Sequence, residues 1–100
     1  MELPSDFKWR QAASYAQIPD MICLGSQCVA RINQRADDLK WYVVLDRHLD
    51  DKQHKIRQCA TQWTGRAGME QWVIRHQDRL RQEVAAILAA KEAGKIRPAE

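Results

Sequence analysis

The apolar positions change their spacing along the chain, and each spacing selects a kind of element. Ser5 can cap a first helix with Asp6 in its first turn, because Trp9, Ala12, Ala13 and Ala16 follow at i, i+3, i+4 and i+7. Pro19 ends that helix by pushing Ile18 toward extended geometry. From Met21 the pattern becomes short apolar runs: Met21–Leu24, a Gly25-Ser26 break, then Cys28–Asn33, where Cys28, Ala30 and Ile32 share one face of a strand. After polar turn residues Gln34–Asp38, the aromatic and β-branched run Trp41–Leu45 is the strongest strand signal. A second polar turn, Leu49–Gln53, leads to a third strand over His54–Thr61 with Ile56 and Ala60 facing inward.

Thr64-Gly65-Arg66-Ala67-Gly68 opens the last element, its two glycines marking a tight strand-to-helix turn. Met69, Trp72, Val73, His76, Leu80, Val84 and Ile87 then fall on one helical stripe, with Trp72 as a core anchor. The helix continues to about Ala93, Gly94 stops it in the left-handed conformation, and residues 95–100, with Pro98, fray. The predicted class is α+β: one domain over residues 1–94, ordered α-β-β-β-α, with a three-stranded antiparallel meander on a long C-terminal amphipathic helix. A rival pattern exists. Tyr42, Leu45, Leu49, Ile56, Cys59 and Trp63 also recur at heptad-like intervals, which would make residues 37–63 one helix of an all-α helical bundle.

Composition narrows the class further. Ile, Leu, Val and Phe make only 20 of 100 residues, so the four Trp, three Met and two Tyr must supply much of a modest core. No run is long and apolar enough for a membrane span and no charged start precedes an apolar segment, which points to a cytoplasmic protein. Three cysteines, at 23, 28 and 59, are an odd number without CxxC spacing, and read as reduced, partly buried thiols rather than a disulfide framework. The net charge of +3 is uneven: residues 1–50 carry −1 and residues 51–100 carry +4. Between Lys52 and Arg81 seven basic residues meet only Glu70 and Asp78, a stretch able to touch phosphates or an acidic protein surface.

The chain lacks a GxSxG elbow, an HExxH pair, a phosphate-cradling loop and a GxGxxG turn, so it is read as a non-enzyme without cofactor or metal. Cys59 with His54 or His76 is the only sensible nucleophile-and-base pairing, and Cys23, Cys28, His48 and His54 have ligand types but match no common zinc spacing. His76, on the apolar stripe, reads as a core histidine whose pKa burial depresses. Opposite that stripe Gln71, Arg75, Arg79 and Gln82 form a basic, amide-rich ridge, which can follow a phosphate backbone or grip carboxylates. Arg79–Glu83 and Asp78–Arg81 pairs would instead make it an ordinary solvated surface. Trp63 and Arg66 complete the candidate partner-binding set, since Trp and Arg dominate interface energetics.

The α-β-β-β-α order resembles the double-stranded-RNA-binding domain, which implies a last helix opened by lysines; here that place reads Gly65-Arg66-Ala67-Gly68-Met69-Glu70. In texture, Leu24–Ile32, Trp41–His48 and Gly65–His76 resemble small accessory proteins of temperate phages and prophages. That resemblance implies binding to a host enzyme, for example as a nuclease inhibitor or modifier of RecBCD. The expected function is therefore modulation of a host protein that handles nucleic acid, with direct DNA or RNA binding by residues 52–81 as the alternative.

Overall fold

The computed structural model describes residues 3–11 and 18–95. It is an α+β fold in which five antiparallel strands form a meander, β1(Phe7–Arg10), β2(Met21–Leu24), β3(Gln27–Gln34), β4(Trp41–Leu45) and β5(Lys55–Cys59), each hydrogen-bonded to the next. A single long helix, α1(Gln62–Lys95), lies across one face of the sheet. Residues 37–63 contain two strands, so the bundle alternative does not hold.

The sheet has two strands more than the sequence reading gave it. Phe7–Arg10 is a strand, not a helix, because Phe7 and Trp9 turn inward while Lys8 and Arg10 stay exposed, a period of two. Ser5 and Asp6 cap nothing; they form a turn closed by the Phe7 amide donating to the Pro4 carbonyl at 3.0 Å. Ala12, Ala13 and Ala16 lie outside the described residues. Met21–Leu24 is a strand too, since Gly25-Ser26 is the two-residue loop of a hairpin, with Gly25 at φ 61°, where a side chain would be strained.

The core forms where the α1 stripe meets the inward residues of the sheet. Met69, Trp72, Val73, Leu80 and Val84 bury themselves against Phe7, Ile22, Ala30, Ile32, Val43 and Leu45. His76 and Ile87, at the edges of the stripe, are half-buried. Past Val84 the helix overhangs the sheet and its small residues Ala85, Ala86, Ala89 and Ala90 are exposed. Gly94 does not stop it, as the helix runs on to Lys95.

α1 also begins earlier than Thr64. Thr61 Oγ1 accepts the Thr64 amide at 3.1 Å and Thr64 Oγ1 accepts the Thr61 amide at 3.1 Å, a reciprocal cap with threonine where glutamate is usual. Both glycines are therefore inside the helix rather than in a turn. A Cβ on Gly65 would lie 2.5 Å from Ile32 Cδ1 and 2.7 Å from Cys59 Sγ, so its absence lets α1 pass close over β3 and β5. Nothing lies within 4 Å of the same point on Gly68. Gly65→Ala should therefore destabilise by about 1–2 kcal/mol, crowding outweighing the gain in helix propensity. Gly68→Ala, free of crowding, should stabilise by roughly 0.5–1 kcal/mol. Urea unfolding of the two variants checks this; equal signs would remove the close-approach argument.

Candidate interaction site

The first turns of α1 carry the candidate site. The cap at Thr61 fixes the helix start and sends Trp63 outward, where it is 65% exposed, while Trp9 and Trp41 are half-buried and Trp72 is buried. Three residues on, the Arg66 guanidinium sits 4.3 Å from the Trp9 ring centroid and 5.4 Å from that of Trp63. The two rings hold the cation by its attraction to their π faces. One turn further, Glu70 accepts a hydrogen bond from Trp9 Nε1 at 3.2 Å, which ties β1 to the helix. Arg66 Nε is buried without a hydrogen-bond partner among the described residues.

A groove of about 440 Å³ continues along the same stretch of helix, its described lining being Ala67, Glu70, Gln71, Ile74 and Arg75. Thus Trp63, Arg66, Gln71 and Arg75 of the expected set share the exposed side of the first half of α1. Trp9 and Glu70 belong with them and were not foreseen. The Phe7-Lys8-Trp9-Arg10 alternation was the available signal, hidden by a competing helical spacing that ran into the alanines.

Arg79 does not extend the ridge. Its Nη1 donates to Asp46 at 3.0 Å and to Glu83 at 2.8 Å, and Glu83 also accepts from His48 Nε2 at 2.8 Å. Asp46 is 3% exposed and follows β4 at φ 61°, a left-handed position that turns its carboxylate under the helix. Arg79 thus closes a four-residue network that fastens the β4 exit to α1. Asp46, His48 and Glu83 keep their ligand-type atoms within 4.8 Å of one another, but the guanidinium already bridges both carboxylates. Arg81 is likewise engaged, gripping Asp6 through two bonds of 2.8 and 3.0 Å and approaching Asp78 at 3.4 Å. Gln82 is exposed, one turn beyond Arg79. Of the basic stretch, Lys52, Lys55, Arg57 and Arg75 remain on the surface.

The other chemical candidates separate. Cys59 packs beside Gly65, with burial raising its pKa, while His54, at the far end of β5, hydrogen-bonds to the Leu49 carbonyl at 2.9 Å. His76 lies 5.4 Å from the Trp72 ring, and its pKa is lowered first by desolvation and then by Arg79 and Arg75. Cys23 and Cys28 face each other across β2 and β3, away from His54. Among the described residues no helix is long and apolar enough to cross a membrane. Compared with protein-family models, curated proteins and solved structures, the chain finds no match.

Proposed function

We propose that the protein is a non-enzymatic interaction module that binds and modulates a larger protein through the Trp63 end of α1. The resemblance to phage accessory proteins makes a nucleic-acid-processing host enzyme the kind of partner to seek. The observation that carries the reading is the exposure of Trp63 beside an arginine already stacked on a second tryptophan. Trp and Arg are the residues most enriched among interface hot spots, and a stacked guanidinium loses little freedom on binding. Gln71 and Arg75 supply polar contacts along the adjoining groove. The engagement of Arg79 and Arg81 in ion pairs argues for this reading over phosphate binding by residues 52–81.

Trp63→Ala is expected to leave stability within about 0.5 kcal/mol, as for most surface substitutions. Capture of a protein partner from nuclease-treated host lysate should nevertheless weaken by about 30-fold or more, the equivalent of about 2 kcal/mol. Added salt should affect that capture modestly. If instead the parental protein binds DNA or RNA with a steep salt slope and nuclease treatment abolishes capture, the direct nucleic-acid reading replaces this one. A folded Trp63→Ala variant that retains every interaction would remove the proposed site.

A further inference from the structure

The β2–β3 hairpin brings two thiols together. Leu24 and Gln27 flank the Gly25-Ser26 loop as register partners, and Cys23 and Cys28 are the next pair. In a two-residue hairpin the pair beside the loop exchanges both backbone hydrogen bonds, so the next pair is the closer one, with Cα atoms about 4.5 Å apart. That separation falls at the near end of the range disulfides span, about 4.4–6.8 Å. Arg47 lies close by in the fold, its backbone amide donating to the carbonyl of Val29, the residue after Cys28, at 3.0 Å. Cys23 is buried, whereas Cys28 is half-buried and the more exposed of the two. Beyond Cys28 the register shifts by one residue, which isolates the pair at the hairpin tip.

We propose that Cys23 and Cys28 are a hydroperoxide-reactive dithiol, in which Cys28 is the attacking thiolate, Arg47 its stabilising cation and Cys23 the resolving thiol. As a thiol, Cys28 donates to the Ala30 carbonyl at 3.3 Å. The thiolate sulfur attacks the terminal oxygen of a hydroperoxide. An S–O bond forms, the O–O bond breaks, and the alkoxide or hydroxide leaves, taking a proton from water. Cys23 then attacks the sulfenic sulfur: the S–S bond forms, the S–O bond breaks, and the departing hydroxide takes the Cys23 proton and leaves as water. The two sulfurs lose two electrons and the peroxide gains them. A dithiol reductant returns the pair.

The surrounding charges support this order of events. Hydrogen bonding from Cys23 first, and then the Arg47 charge, bring the Cys28 pKa down to about 7 against the opposing effect of burial. The Cys23 pKa is pushed up by its bond to Cys28, by burial and by Asp20, with Arg10 opposing. Lys8, the register partner of Cys23 on β1, adds a further positive charge on that side.

The test treats the folded full-length chain with equimolar hydrogen peroxide and maps its cysteines by peptide mass spectrometry. An intramolecular Cys23–Cys28 disulfide is expected, with Cys59 still a thiol. Cys23→Ser should halt the reaction at a Cys28 sulfenic acid captured by dimedone, and Cys28→Ser should abolish the fast oxidation. Arg47→Met should move the pH midpoint of Cys28 alkylation upward. Alkylation of the parental chain needs no substitution, so it decides the matter even where a variant fails to fold: Cys28 must react before Cys59. Oxidation of Cys59 first, disulfides only between chains, or persistence of both hairpin thiols in the folded protein would each overturn the proposal.

Discussion

Trp72→Ala is expected to destabilise the protein by about 3–5 kcal/mol and Leu80→Ala by about 2–5 kcal/mol. Leu80 is 0% exposed and Trp72 7%, and both belong to the one cluster that joins α1 to the sheet. Removing the indole leaves a cavity under the helix and also deprives Arg79 and His76 of the ring they lie against, at 5.7 and 5.4 Å. A chain of this size has a total stability of roughly 5–15 kcal/mol, so either substitution takes a large share and the two together should unfold it. The residues are two turns apart on the helix, far enough for their effects to add. Leu88→Ala, at a position 41% exposed on the overhanging part of α1, should cost under about 1 kcal/mol. Equilibrium urea unfolding separates these cases. Parental midpoints for Trp72→Ala and Leu80→Ala would mean that the stripe does not hold the helix to the sheet.

That stripe was fully legible because a helix of this length repeats its pattern many times, and the apolar positions Met69, Trp72, Val73, Leu80 and Val84 stand out from polar neighbours. The edge of the sheet was not. β1 and β2 have four residues each, too short for a period of two to outweigh a rival spacing, and the Trp9, Ala12, Ala13, Ala16 spacing was a valid helical signal in isolation. What decides for strand at Phe7 and Trp9 is pairing with Leu24 and Ile22, a contact between segments that local pattern does not contain. The helix start was missed for a related reason. Gly65 has low helix propensity, yet it is retained inside α1 because the sheet beneath leaves no room for a Cβ.

The candidate site was legible in its residue types and less so in its grouping. Spacing along a helix places side chains around its axis but does not say which of them the rest of the fold reaches. Trp63, Gln71 and Arg75 kept their exposed positions because no strand lies over them among the described residues. Arg79 sits closer to the edge of the buried stripe, where its long side chain reaches Asp46. The dithiol was visible in principle, since two cysteines placed symmetrically about a Gly-Ser loop must meet across a hairpin; reading Gly25-Ser26 as a break rather than a turn concealed it.

The Arg79 network gives the second large expected effect. Arg79→Glu should destabilise by about 2–4 kcal/mol, below the full cost of breaking a buried pair because the Arg79 side chain is 37% exposed. The penalty arises chiefly at Asp46, whose buried carboxylate would lose its cation and face a second negative charge. Arg75→Glu, one turn earlier on the exposed surface, should change stability by no more than about 0.5 kcal/mol. Acid offers an independent check. Burial alone would raise the Glu83 pKa, but the bonds from His48 and Arg79 overcome it and hold the group below its ordinary 4.5. A carboxyl with a depressed folded pKa contributes stability that is present above its unfolded value and lost as pH falls through the folded one. The parental protein should therefore lose stability as pH drops below about 4.5, while Arg79→Glu, with that contribution weakened and its crowded carboxylates relieved by protonation, should lose less. The gap between the two, measured by urea unfolding across this range, should narrow toward low pH. A gap that stays constant would mean that Arg79 acts through packing on Trp72 and not through charge.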